Sequence, residues 1–165
     1  MTLTKHFFVS LLYFPFILLI LVTSCEQIVF SNAHSDQKVE ELMSNYVKAW
    51  SDGDVDKIAE DIFEAPLTIQ YQDSVLVLGN KQRLKIFLSE TFEDLENNNY
   101  GYSIMNDWES KTLDENIVSL TMSYTRFLKD SSIMGEFNRE ASYILKKNNN
   151  GEYKIKSLIP KTPIQ

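Results

Sequence analysis

The residues that could carry chemistry in this chain are arginines and tyrosines rather than histidines or cysteines. The two histidines, His6 and His34, and the single cysteine, Cys25, all lie within the first 37 residues. The region that follows therefore lacks an imidazole for acid–base catalysis, a thiol nucleophile and the ligands of an ordinary zinc site. Proton chemistry there must rely on Asp, Glu, Tyr or Lys, and we expect no metal and no cofactor.

Two arginines stand among apolar residues in strand-like segments. Alternation along residues 117–128 places Arg126 on the same face as Tyr124, and Arg139 falls on the apolar face of a later segment. A guanidinium facing a semi-apolar pocket is a planar fork for a carboxylate or a phosphate. The alternative is that Arg126 reaches water from its strand end while Arg139 pairs with a nearby carboxylate.

The expected pairing of these two segments brings both arginines to one face. A turn over residues 129–132 would place Met122 opposite Arg139 and Tyr124 opposite Phe137. All four side chains would then share the concave face of the sheet.

Six aromatic residues are further candidates for the wall of a pocket. Together they would supply apolar surfaces with polar tips, whereas each alone is equally explained by core packing. Trp108 shares its expected strand face with Tyr102 and Ile104. The six residues are Tyr46, Trp50, Tyr71, Trp108, Tyr124 and Tyr143.

Three helices are predicted in the first half of the folded region. Apolar residues recur at helical spacing over residues 39–63, where Gly53 is suited to end one helix and Asp54 to cap the next. A third helix is expected over residues 81–96, with Asn80 as its cap.

The remaining segments alternate apolar and polar residues, as strands do. Helices gathered on one face of an antiparallel sheet form an α+β domain, so we predict three helices packed on a strongly curved antiparallel sheet. The opposite face of the strand predicted over residues 117–128 is rich in Ser and Thr, as expected for a half-solvated sheet. The predicted strands cover residues 67–72, 75–78, 100–109, 117–128, 133–147 and 153–159.

The N-terminal stretch resembles the export signal of bacterial lipoproteins. Lys5 is followed by an almost continuously apolar run over residues 7–22, and small residues precede Cys25. In that family the cysteine is acylated and the signal is cut before it. The resemblance implies a signal peptide over residues 1–24, and an acylated Cys25 with a polar tether over residues 25–37. The protein would then be anchored by lipid to a membrane of the cell envelope, on its periplasmic or surface side; the alternative is an uncleaved signal anchor.

The charge of the chain excludes a general attraction to nucleic acid. It carries 23 acidic and 16 basic residues, a net charge of −7. An acidic domain of this kind is not expected to bind nucleic acid through its phosphates.

The order of elements resembles the nuclear transport factor 2-like superfamily, which includes ketosteroid isomerase and polyketide cyclase-like domains. The resemblance spans residues 38–159 and implies one domain over residues 38–165. It also implies a cystatin-like cone, in which helices close over a bent sheet and leave a pocket. The matching motifs are Tyr46-x₃-Trp50-x₂-Gly53-Asp54, the strand from Pro66 to Tyr71, Gly79-Asn80-Lys81 and the segment from Gly151 to Ile155.

The resemblance does not extend to isomerase chemistry, which needs an Asp base, a Tyr donor and a protonated acid donor. Tyr46 falls at the Tyr position and Tyr143 at the acid-donor position. The base position falls on Gln70, or on Tyr71 with one insertion. Since neither can replace the Asp base, we do not expect isomerase activity.

Three functions remain open. The first is non-catalytic binding of a small amphipathic or anionic ligand in the cone. The second is a structural or interaction role, with a homodimer formed through the outer face of the sheet. The third is a dehydratase- or cyclase-like enzyme that uses a carboxylate and tyrosines.

Overall fold

The computed structural model describes residues 32–161. The predicted signal peptide, residues 1–24, and the predicted lipid site, Cys25, lie outside the described residues. Within the described range, no helix combines the length and apolarity needed to cross a membrane.

The helices lie in the first part of the chain and most strands follow them. The second helix, α2 (Val55–Lys57), continues into a π-helical segment, Ile58–Ile62, before the chain extends into the first strand. The elements are α1 (Asn32–Ser51), α2 (Val55–Lys57), β1 (Phe63–Gln70), β2 (Val75–Leu78), α3 (Lys81–Asn97), β3 (Tyr100–Thr112), β4 (Ile117–Leu128), β5 (Arg139–Lys147) and β6 (Tyr153–Pro160).

The corner between α1 and α2 forms at the predicted residues. Gly53 has a φ of 66°, a left-handed conformation that glycine adopts without the strain of a Cβ. The side chain of Asp54 accepts a hydrogen bond of 2.9 Å from the backbone N–H of Lys57. The cap predicted for α3 is also confirmed, because Asn80 accepts a 3.0 Å hydrogen bond from the backbone N–H of Arg83.

The six strands form one curled sheet in the order β2-β1-β6-β5-β4-β3. The predicted α+β class is confirmed, but the sheet is mixed rather than wholly antiparallel, because β1 and β6 pair in parallel. β6 returns from β5 through a tight turn at Gly151, whose φ is 76°, and so runs in the same direction as β1.

Two irregularities in β3 change which side chains face the helices. The pairing with β4 shifts between Tyr100 and Tyr102 and again between Met105 and Asp107, as β-bulges do. Tyr102 therefore lies on the outer face, whereas Trp108 lies on the inner face. The prediction that Trp108 shares a face with Tyr102 and Ile104 is wrong. The bulge between Met105 and Asp107 adds a residue before Trp108 and so reverses the alternation.

The pairing of β4 with β5 differs from the predicted register by two residues. Tyr124 lies opposite Arg139, where Phe137 was expected. Residues 134–138 form a loop with positive φ at Gly135 and Asn138, which removes them from the strand. Phe137 is consequently 70% exposed rather than on the concave face. A shift of two residues preserves the faces, so Arg139 still lies on the inner side.

The hydrophobic core lies between the helices and the inner face of the sheet. Burial of these side chains supplies most of the driving force for folding. The helical segments contribute Met43, Ile58, Leu84 and Leu88, and the sheet contributes Phe63, Leu67, Leu120, Leu145 and Ile155, all nearly inaccessible to solvent.

Candidate binding cavity

A cavity of about 440 Å³ lies between the helices and the inner face of the sheet. Its walls come from α1, α3, β1 and the strands β3 to β6. Asp94 of α3 and Asn98, which caps the end of that helix, are both exposed and line the cavity, so the cavity reaches the surface there. Its volume is in the range of sites that hold small molecules.

Most of the candidate residues line this one cavity. Trp108 does not: it lies opposite Met122 on the edge strand β3 and packs against the core, outside the lining. Ligand contact by the other seven stays a prediction. Those seven are Tyr46, Trp50, Tyr71, Tyr124, Arg126, Arg139 and Tyr143.

Tyr46 of α1 and Tyr143 of β5 meet within the cavity wall. Their ring centroids are 5.8 Å apart with the planes at 75°, an edge-to-face contact. Burial raises the pKa of both phenols above the ordinary value, and the hydrogen bond between them opposes this for Tyr46 and adds to it for Tyr143. Both groups are therefore neutral hydroxyls at pH 7, able to donate hydrogen bonds but not to act as bases.

Arg126 lies among aromatic rings near the end of β4. Its guanidinium carbon is 5.8 Å from the ring centroid of Trp50 and 5.7 Å from that of Tyr124. These are cation–π distances, which orient the guanidinium without neutralising it. Its Nε–H is buried and has no hydrogen-bond partner among residues 32–161.

Arg139 is more deeply enclosed, with 7% of its surface exposed. One terminal N–H donates to the carbonyl oxygen of Met134 at 3.3 Å, while the Nε–H is buried and has no partner in the described part of the chain. Gly135 makes this arrangement possible, because a Cβ at that position would lie 2.5 Å from the guanidinium. Burial lowers the pKa of Arg139, and the charge of Arg126 lowers it further.

Neither arginine forms an ion pair within residues 32–161, where paired cations are otherwise lysines on the surface. The predicted alternative, a carboxylate partner for Arg139, is thus not seen in the described part of the chain. A buried donor without a partner costs about 1–3 kcal/mol. Two such donors in one cavity indicate a place for an acceptor that carries negative charge.

The arrangement favours recognition over proton abstraction. Gln70, at the base position implied by the resemblance, is exposed, and Tyr71 lines the cavity instead. Among the described lining residues Asp94 is the only carboxylate, and it lies at the exposed end of the cavity. The described residues contain no cluster of three His, Cys, Asp or Glu side chains that could hold a metal ion.

The sequence predictions missed the wall that α3 supplies. Its lining residues recur at helical spacing, a signal that identifies one face of the helix but does not distinguish a cavity wall from solid core. Met134, in the loop before β5, was also missed because the loop itself was predicted as strand. The α3 residues are Phe87, Thr91, Asp94 and Leu95, and the helix cap Asn98 lines the cavity beside them.

Three helices over one face of a curled six-stranded sheet, with a lined cavity between them, define a cone-shaped α+β domain. Residues 35–163 match the model of the family described as NTF2-like protein (DUF6841). The chain therefore belongs to this NTF2-like family, as the sequence resemblance predicted. None of the curated proteins compared with the chain matches it.

Solved structures share the fold at low sequence identity. A domain of unknown function with a cystatin-like fold from Nostoc punctiforme is 11% identical, with a TM-score of 0.61 over 80% of this chain and 79% of that one. An NTF2-like protein with a cystatin-like fold from Novosphingobium aromaticivorans is 8% identical, with a TM-score of 0.62 over 78% and 81%.

A third similar structure, also from Novosphingobium aromaticivorans, carries a provisional scytalone dehydratase name. It is 11% identical, with a TM-score of 0.61 over 81% of this chain and 87% of that one. At such identities the likeness shows the fold alone, and one fold hosts many unrelated functions.

Proposed function

We propose that this domain is a binding module that holds a small amphipathic anion in its cavity. The acidic group of the ligand binds to Arg126 and Arg139, and its apolar part fills the aromatic portion of the cavity. The observation that carries the proposal is the pair of buried, unpaired guanidinium Nε–H groups that line one cavity.

The apolar part of the ligand has a defined surface to contact. Trp50 packs against Tyr46 at 5.8 Å and against Phe92 at 4.9 Å between ring centroids, which holds the indole at the cavity wall. Phe87 and Leu158 line the same space. Apolar contact there contributes about 0.8 kcal/mol for each CH₂ removed from water.

The neutral tyrosine pair fits recognition of this kind. Tyr46 and Tyr143 present hydroxyl groups whose raised pKa values keep them protonated at neutral pH. Such groups hydrogen-bond to a ligand without adding charge to the cavity. An enzyme of the dehydratase or cyclase type would need a carboxylate, and Asp94 is the candidate within the described lining.

The test is thermal unfolding of the ligand-free protein with octanoate and with 1-octanol, which share a chain and differ in charge. A ligand at one hundred times its Kd stabilises the native state by about 2.7 kcal/mol. We expect octanoate to raise the Tm and the alcohol to raise it much less. Equal shifts, or none with either probe, would refute binding through the arginines.

We also propose that the domain is anchored to a membrane of the cell envelope through an acylated Cys25. The support comes from the sequence alone: the positive charge of Lys5, the apolar run and the small residues before the cysteine. Metabolic labelling with an alkyne fatty acid tests this. We expect label in the wild type and in the control Ser24→Ala, and no label in Cys25→Ala; labelled Cys25→Ala protein would exclude the site.

A further inference from the structure

The two arginines of the cavity flank the same tyrosine. Arg126 places its guanidinium 5.7 Å from the ring centroid of Tyr124. Arg139 lies directly opposite Tyr124 in the register of β4 and β5. Both side chains project from the inner face, so the two guanidiniums are neighbours in the cavity.

Their charges are uncompensated within the described part of the chain. Arg139 is buried, and the positive charge of Arg126 disfavours its charged form. Burial lowers the pKa of Arg139, and Arg126 lowers it further. A carboxylate would ordinarily resolve such a conflict, yet no ion pair involves either residue in residues 32–161. One negative charge on a ligand would still leave one positive charge enclosed.

Each of the two side chains also has an N–H donor that no acceptor among the described residues satisfies. Each Nε–H is buried without a partner within residues 32–161, and each belongs to a guanidinium fork that suits two acceptor oxygens. A single carboxylate has two oxygens and satisfies one fork. A tetrahedral oxyanion has enough oxygens to accept from both forks at once.

We propose that the head group recognised here is a dianion that bridges Arg126 and Arg139, and that the ligand class is a phosphate monoester with an apolar substituent. The inference rests on the proposed function and narrows it from anions in general to this class. A free phosphate ion would offer the same oxygens and charge, and the experiment separates the two sources.

The other titratable groups near the site do not supply a negative partner for either arginine. Tyr46, Tyr124 and Tyr143 face the guanidiniums from α1, β4 and β5, and the pKa values of the first and last are raised by burial. Asp94 of α3 lines the exposed end of the cavity, and Glu136 of the loop before β5 acts on Arg139 through its charge. None of these side chains forms an ion pair with either arginine.

The experiment compares octyl phosphate with octyl sulfate by calorimetric titration of the folded wild-type protein. The two probes share chain length and tetrahedral head group, but at pH 8 the phosphate carries two charges and the sulfate one, since the second pKa of a phosphate monoester is about 6. We expect the phosphate to bind at least about tenfold more tightly at pH 8. At pH 5.5, where the phosphate is mostly a monoanion, the difference should shrink to about twofold or less.

Matched variants assign the preference to the arginine pair. Arg139→Gln removes one cavity cation, whereas Lys111→Gln removes one cation from an exposed position on β3. We expect Arg139→Gln to lose the preference for phosphate over sulfate while still binding the sulfate. Lys111→Gln should keep the wild-type ratio, and circular dichroism of both variants would establish that they are folded.

The possible outcomes distinguish failure of the phosphate-ester proposal from failure of the proposed function on which it rests. Equal affinities for phosphate and sulfate at pH 8 would overturn the dianion while leaving the proposed function in place. No binding of either octyl probe, or of inorganic phosphate, would overturn both. Inorganic phosphate binding as tightly as octyl phosphate would keep the dianion site, identify free phosphate as its source and refute the amphipathic ligand.

Discussion

Replacement of Arg139 by methionine is expected to make the ligand-free protein more stable while removing one of the two cations that bind the anion. The wild-type side chain buries an unpaired Nε–H, which costs about 1–3 kcal/mol, and it makes one long hydrogen bond to Met134 that contributes about 0.5–1.5 kcal/mol. Methionine loses the bond, removes the unpaired donor and keeps an unbranched apolar chain in the space. The net gain is about 1 kcal/mol, or roughly 4 °C in Tm for a domain of this size.

The assay is urea unfolding followed by circular dichroism, on protein refolded from denaturant so that no ligand is retained. Lys111→Met is the matched control, because it removes a positive charge from an exposed site of the same acidic protein. We expect the free energy of unfolding of Arg139→Met to exceed that of the wild type, and that of the Lys111→Met control to equal it. A loss of 1 kcal/mol or more in Arg139→Met alone would show that Arg139 is a structural residue, and the reasoning from unpaired donors would fail.

Three further results are expected. Tyr143→Phe should lower the free energy of unfolding by about 1 kcal/mol, because it removes the buried hydrogen bond to Tyr46; an unchanged urea midpoint would contradict that bond. Gly101→Ala should cost about 1–3 kcal/mol in the same assay, since its Cβ would lie 2.7 Å from the carbonyl oxygen of Leu128, and a neutral effect would place this backbone contact in doubt. The alternative role, an interaction protein that pairs through the outer face of its sheet, requires a soluble form beginning at residue 26 to sediment as a dimer, and a strict monomer at high concentration would exclude that interface.

Local patterns in the sequence were sufficient to predict the helices and the strand β4. The expected range of β4, residues 117–128, agrees with the structure, and α3 differs from its prediction by one residue at its end. Gly53 and Asp54 mark the corner between the first helices because a left-handed φ and a side-chain cap are properties of single residues. Signals of this kind act within a few residues and need no tertiary information.

Predictions of side-chain direction failed where the backbone is irregular. Strict alternation along β3 placed Tyr102 on the same face as Trp108, whereas the bulge between Met105 and Asp107 puts them on opposite faces. The segment before Arg139 alternates apolar and polar residues like a strand, yet left-handed residues at Gly135 and Asn138 fold it into a loop. A bulge leaves no clear mark in an alternating pattern, so its position could not be anticipated.

The candidate site was predicted in part because inward strand residues converge in a cone. Arg126 and Tyr143 were found by alternation on separate strands, and the curled sheet brings both to one cavity. The parallel pairing of β1 with β6 could not be derived, since it joins segments far apart in the chain. The unpaired state of the two arginines is likewise a property of the folded surroundings, which the sequence does not display.

Calorimetric titration tests most directly whether a cavity with two unpaired arginines binds an amphipathic anion. Octyl phosphate is titrated into the wild type and into the double variant Arg126→Met/Arg139→Met. We expect saturable binding of one octyl phosphate per wild-type chain, and affinity at least about a hundredfold weaker in the folded double variant. Undiminished binding to the double variant would contradict binding through the arginines, because the anion would then be held without Arg126 and Arg139.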